Sequence, residues 1–502
     1  MAITEPSAIV PPEADERDAL LVVDALFDSL TAIDEEQRAV PAAAQRWYPD
    51  ATSTTWTFVL QPDATFHDGS PVTAADFAFA WNLAARDEAV GYHLRHVVGY
   101  DAVVRGSADA LRGVEVIDDH TLRVHLAAPL ATFPLVVAHP SLGPVPRERW
   151  TRDAAAERIR PVGNGPFAMA EGWARGRFIR AHRAEGGGRD RGPTAAAVDE
   201  VIFRIMDPDS AYLAFQQGRI DFATLPPGAL DEAIEAYGRA AVPDRGVGVL
   251  LPDEPTTYLL GFSVTQPPYD RVEVRRAVSL AVDRETLAAA VLDGSARRAT
   301  SLVPPALEGA RPGSCSACTS DVEEARALFA AAGVDELTLW FSEGGGHRQV
   351  AERLRADLAA AGVRLRLRSL PFEDFLAAVR AGSAGMFRWG WSADHPTPDD
   401  VLTPLFSSTS EDNVFGYADE EVDALLAEAR ATADPERRLA LYQQAEDRVI
   451  DRDQVVVPLF TYRHRLVVGD RVRGLRVDPF GRPDWALITL RDTGATEAAG
   501  VD

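Results

Sequence analysis

Two cysteines, Cys315 and Cys318, stand as an isolated CxxC in a Gly/Ser/Pro-rich stretch. A thiol–disulfide exchange site at that spacing needs a following helix inside a compact βαβ unit, and zinc needs two further ligands nearby, of which none appears. A local disulfide in an exported chain and a pair of free thiols are the readings that remain. His93 and His96 have HxxH spacing without the acidic–His pattern of a zinc enzyme, so they are expected at the surface. Gly344, Gly345 and Gly346 precede His347 and Arg348 at a strand-to-helix junction. Helix amides and a guanidinium there could receive an anion; the alternative is a solvated helix-start arginine. The glycine run lacks the Gly-Lys-Ser/Thr of a P-loop, and no GxSxG elbow, zinc-hydrolase motif or dinucleotide loop occurs. Triads assemble from distant residues, so a hydrolase stays as a remote alternative.

The elements that must position these residues follow from periodicity. Residues 20–30 recur apolar at three and four and read as a helix; Trp56–Leu60 alternates as a strand. Thr73 is a good N-cap for a helix Ala74–Ala85, with Asp76 near the free first-turn amides. Val114–Ile117 and Leu122–Leu126 read as a hairpin about Asp118-Asp119. Gly186–Pro193 is a surface loop by composition. Val201, Phe203 and Ile205 alternate as a strand, Asp207 and Pro208 start a helix through Gln217, and Ile220–Ala223 is a short strand; a βαβ unit is the economical reading.

After Pro267-Pro268, Val274, Val278, Ala281 and Val282 form an apolar helical stripe. Helices Val322–Ala331 and His347–Ala361 flank a strand Leu337–Phe341. Val363, Leu365 and Leu367 alternate with Arg364, Arg366 and Arg368, giving a strand with one wet face. Helix Phe372–Ala381, strand Met386–Trp389, charged helices around 419–430 and 434–450, and strand Val455–Phe460 complete the pattern. Trp389 and Trp391 are separated by Gly390 and are expected on opposite sides of their strand, with Trp389 the better core residue. The tail after Arg491 is expected to fray.

The chain has 502 residues, beyond the roughly 250–300 that one core serves, so two or three lobes are expected. Apolar residues make up 46% and charged residues 25%, a globular balance. The net charge of −25 repels phosphate backbones, which argues against nucleic acid as a partner. No apolar run approaches the ~18–20 residues of a membrane span. Met1–Pro12 lack a basic region followed by an apolar core, so the chain is expected either in the cytoplasm or downstream of a removed export segment.

Trp56–Trp81, WTFVLQPDATFHDGSPVTAADFAFAW, resembles the signature of the bacterial extracellular solute-binding proteins, family 5, the oligopeptide/dipeptide-binding receptors of ABC importers. Similar segments follow in the family's order: LRGVEVIDDHTLRVHL at 111–126, RPVGNGPF at 160–167, FQQGRIDFA at 215–223, VRRAVSLAVDRETLAAAVLDG at 274–294 and WGWSADHPTPDDVLTPLF at 389–406. The resemblance implies an α/β, two-lobed, type II periplasmic-binding-protein-like (Venus-flytrap) fold with an additional small α+β domain. It places one discontinuous lobe at 1–36, 159–258 and 461–502, the additional domain at 37–158 and the second lobe at 259–460.

It further implies a non-enzymatic, cofactor-free, monomeric receptor outside the cytoplasm, periplasmic or lipid-anchored, that delivers short peptides from an interlobe cleft to importer permease subunits. A metal chelate, an oligosaccharide or another small polar compound is the alternative ligand; His347 and His395 are the hint for a metal complex. By likeness, Asp394 pairs with the peptide ammonium, against a turn-capping role before His395-Pro396, and Trp391 lines the pocket. Arg348 is the candidate for the carboxylate. Tyr258, Phe262 and Ser263 lie on the strand leading between lobes, with Ser263 where many relatives have Asn. Tyr417 is a cleft or core residue, and Gly163, Asn164, Gly165 and Pro166 read as hinge or cleft architecture.

Overall fold

The computed structural model describes residues 1–185, 196–240, 247–291 and 294–491. The loop expected at Gly186–Pro193 and the tail expected to fray after Arg491 lie outside the described residues. The chain divides into two compact units, Met1–Pro252 with His464–Asp502, and Asp253–Arg463.

Three main sheets build the first unit. One is mixed, with strands in the order Ala2–Ile3, Glu200–Ile205, Phe178–Arg183 and Phe167–Met169. The second orders Phe222–Thr224, Leu466–Val468 and Gly248–Leu250, so residues from late in the chain supply its centre. The third is antiparallel, Ala44–Pro49, Thr55–Leu60, Thr121–His125 and Val114–Asp118, and contains the expected hairpin. Trp56, Phe58 and Leu60 alternate inward from its centre onto Phe77 and Trp81 of the helix Ala74–Ala84. That helix starts as its sequence dictates: the Asp76 carboxylate accepts the Thr73 amide at 2.9 Å and the Thr73 hydroxyl at 2.6 Å.

Two expectations fail in this unit. The first helix spans Arg17–Leu26 and stops before the apolar positions do; Leu30 is buried just ahead of a strand Thr31–Ile33. Residues 200–224 do run strand, helix, strand, but not as one βαβ unit. Glu200–Ile205 pairs with Phe178–Arg183 and Ala2–Ile3, whereas Phe222–Thr224 pairs with Leu466–Val468 in another sheet. Local periodicity sets the elements; strand partners from distant sequence set the sheet.

The second unit is organised on one six-stranded mixed sheet in the order Ala296–Arg298, Val456–Tyr462, Thr256–Phe262, Met386–Ser392, Glu336–Ser342 and Arg364–Leu370. The last two are parallel and linked by the helix His347–Ala360, a true βαβ crossover. Leu365 is buried while Arg364, Arg366 and Arg368 are exposed on this edge strand, where charge discourages further pairing. Val274, Val278, Ala281 and Val282 are fully buried on one side of the sheet, as their spacing predicts. Cys315 and Cys318 form a disulfide, both at most 4% exposed. Ser279 Oγ donates to the Ala317 carbonyl at 2.8 Å and Arg284 to that of Cys318 at 3.2 Å, so the bridge closes a loop already pinned to the core.

Candidate ligand-binding site

Side chains alternate along Met386–Ser392 with period two. Arg388 lies opposite Leu260, and Gly390 opposite Tyr258, on the neighbouring antiparallel strand. Arg388 is 5% exposed. One of its terminal nitrogens donates to His347 Nδ1 at 2.6 Å, at the start of the crossover helix, and its Nε has no hydrogen-bond partner. Tyr258 stacks on Phe460 at 5.2 Å, meets Tyr462 edge-on at 4.9 Å and puts its ring centre 5.5 Å from the guanidinium. A Cβ at Gly390 would stand 3.2 Å from the Tyr258 ring, so the glycine leaves room for that aromatic floor.

Burial pushes the Arg388 pKa down to about 10, still charged at neutral pH. Burial and then the Arg388 charge push His347 down to about 4, so its imidazole is neutral. The hydrogen bond therefore runs from guanidinium to Nδ1, and the histidine proton sits on Nε2. Among the described residues no carboxylate forms an ion pair with Arg388. A buried cation held by one neutral ring is incompletely compensated, which suits it to an arriving anion.

Beyond Ser392 the strand turns through Ala393–Pro398 into the helix Asp399–Phe406. Asp394 is half-buried on this turn. Its amide and that of His395 both donate to Asp400 Oδ2, at 2.6 and 3.1 Å. Trp391, also half-buried, donates its indole N–H to the Asp400 carbonyl at 2.6 Å. Asp394 thus sits on a turn fastened at Asp400, at the end of the strand that carries Arg388 and Trp391.

The other sequence candidates fare unequally. Arg348 is exposed at the start of its helix and donates to Ser369 Oγ at 3.3 Å. Tyr417 is a core residue whose hydroxyl donates to Asp453 at 2.7 Å, with burial and then that carboxylate raising its pKa. Ser263 is 4% exposed at the end of its strand, its amide on the Gly385 carbonyl. His395 is 2% exposed beneath the turn. Trp389 and Trp391, two residues apart, pack against the same cluster rather than opposite ones, because positions i and i+2 of a strand share a face. His93 is not at the surface: it is buried with its ring 3.9 Å from that of His139, and His96 is half-buried. No group of three metal-ligating side chains occurs among the described residues. In the first unit, Asn164 exchanges two hydrogen bonds with the Asp28 backbone, at 3.1 and 3.0 Å. A Cβ on Gly163 would stand 1.9 Å from the Leu26 carbonyl oxygen, so that segment's glycines serve packing.

Sequence reasoning missed Arg388. Its signal was a lone arginine in the apolar run Met386–Trp391, where a charge has no business unless something polar meets it.

The fold is that of the type II periplasmic binding proteins. The model of the bacterial extracellular solute-binding proteins, family 5, matches residues 38–413, and the chain belongs to that family. The probable deoxycholate-binding periplasmic protein YgiS of Escherichia coli strain K12 is 30% identical, over 91% of this chain and 86% of its own. The dipeptide-binding protein DppE of Bacillus subtilis strain 168 is 26% identical, over 96% and 90%. The structure of HbpA2 from Haemophilus parasuis superposes with a TM-score of 0.85 at 24% identity, covering 98% of this chain and 99% of that one. Among the described residues no helix is long and apolar enough to cross a membrane.

Proposed function

We propose that this protein is the extracytoplasmic receptor of an ABC importer and binds short peptides by their two charged ends. Arg388, aided by neutral His347 and with the Tyr258 ring beside it, takes the carboxylate; Asp394, next to Trp391, takes the ammonium. The observation that carries this reading is Arg388, buried beside a neutral imidazole and without an ion-pair carboxylate among the described residues. Charge-assisted bonds to such a group are worth more than in water. Similarity to a dipeptide-binding protein supports the same ligand class. The lobe limits at 36/37, 158/159, 258/259 and 460/461, a monomeric state and delivery to permease subunits belong to this proposal.

A second reading keeps the transport role and Arg388 but replaces the peptide with an amphipathic carboxylic acid. The relative named as a probable deoxycholate-binding protein favours it, since such a ligand offers an anion and a broad apolar face but no ammonium. Native mass spectrometry of the gently purified protein, with identification of any released ligand, separates the two; calorimetry with trialanine and with deoxycholate follows. Trialanine binding that weakens when either terminus is blocked is the expected outcome. Binding of deoxycholate alone would replace the peptide reading, and binding of neither would remove both.

A further inference from the structure

We propose that Asp400 is the positioning residue of this site, holding Asp394 and Trp391 in the places from which they meet the ligand. The inference rests on the reading of Asp394 as the ammonium partner. The Ala393 amide donates to the Pro255 carbonyl at 2.9 Å, the last cross-strand bond before the chain leaves the sheet. The next two amides, of Asp394 and His395, converge on Asp400 Oδ2 at 2.6 and 3.1 Å. The Asp400 carbonyl receives the Trp391 indole at 2.6 Å. One residue, 4% exposed, therefore fixes three donors from 391–395.

Its own place is set in turn. Asp400 lies in the first turn of the helix Asp399–Phe406, where a carboxylate is favoured by the helix dipole. Its amide donates to the Thr397 carbonyl at 3.2 Å. Neighbouring Asp399 accepts the Thr403 hydroxyl at 2.6 Å and the Tyr442 hydroxyl at 3.0 Å, tying the helix start to the helix Pro435–Asp447. A charged acceptor shared by two adjacent amides is a stiff local constraint. Binding groups act only when held within about 0.5 Å of their productive position. Asp400 therefore contributes to ammonium binding without touching the ligand.

The test compares trialanine with N-acetyl-trialanine on the wild type, Asp400→Ala, Asp400→Asn, Asp394→Asn and the double variant Asp394→Asn/Asp400→Ala, by calorimetry. Asp400→Ala is expected to weaken trialanine binding by about 10–100-fold, as loss of a supporting shell does. It should cost the acetylated peptide only about 3-fold, and about 3-fold again once Asp394 is already Asn, as coupled residues behave. Asp400→Asn retains an oxygen for the two amides and is expected to fall between wild type and alanine, which keeps the question open to test should the alanine variant not fold. Equal losses for both peptides, or an undiminished loss in the Asp394→Asn background, would overturn the proposal. Hydrogen exchange supplies a readout independent of ligand identity: the Asp394 and His395 amides and the Trp391 indole should be protected in the wild type and exchange faster in Asp400→Ala. Unchanged exchange overturns the positioning role. Failure of trialanine to bind the wild type, with exchange behaving as expected, overturns the peptide reading and leaves the positioning role standing.

Discussion

Arg482 in the first unit, mostly covered, and Arg388 in the second, buried, both lie beside aromatic rings and are compensated in opposite ways. Arg482 pairs with Asp478 at 2.7 Å, has Asp24 at 4.0 Å and lies over the Phe480 ring. Asp24 is itself occupied, accepting the Trp485 indole at 3.3 Å. Burial opposes the Arg482 charge, yet the two carboxylates outweigh it and raise the pKa. Arg388 has one neutral histidine and a lowered pKa. Arg284, buried deeper still, is satisfied by the carbonyls of Ser279, Pro458 and Cys318. Burial alone therefore does not set Arg388 apart; the shortfall in what compensates its charge does.

The comparison is sharpened most by Arg388→Leu. This change should weaken binding of a carboxylate ligand by about 100-fold or more, the usual cost of removing one member of a buried charge pair. Thermal stability should hold or rise, because an incompletely paired cation leaves the interior. Calorimetric affinity within a few-fold of wild type would break the distinction.

Arg482→Leu should do the reverse. Leaving Asp478 and Asp24 without their cation is expected to cost about 3 kcal/mol in denaturant unfolding, while affinity of the folded protein stays within about 2-fold. The last effect, confined to higher pH, belongs to Asp24, whose pKa is raised to about 6 by burial first, with Arg482 opposing and Asp478 adding. The unfolded carboxylate loses its proton near pH 4 and the folded one near 6. Its penalty therefore grows as pH rises through that window and is full above it. Asp24→Asn should gain up to about 3 kcal/mol at pH 7, the equivalent of moving the pKa from near 4 to about 6, and nothing below pH 4. A melting difference independent of pH would show that Asp24 does not titrate as described.

Much of the second unit was legible because its signals are local. The alternation of Leu365 with Arg364 and Arg366 places a half-wet strand, and the stripe from Val274 to Val282 places a core helix. Asp394 and Trp391 came from resemblance of the 389–406 segment; Trp391 lies on the strand Met386–Ser392 and Asp394 on the turn after it. What failed was long-range or depended on face. Arg388 and His347 are 41 positions apart in the sequence and meet because the strand Glu336–Ser342, which leads into the helix of His347, lies beside Met386–Ser392 in the sheet. The Trp389–Trp391 pair was misjudged by overlooking that alternate residues of a strand share a side.

By itself the sequence determined the family, the helix caps and the amphipathic faces, because these depend on residues a few positions apart and on the order of motifs along the chain. Only the tertiary structure decided which arginine is compensated. That depends on which carboxylates, carbonyls and rings the sheet order brings within about 4 Å, where Coulomb and hydrogen-bond energies are set. Arg348 and Arg388 are equally charged in the sequence; one is wetted by solvent and the other buried against His347, and burial separates them.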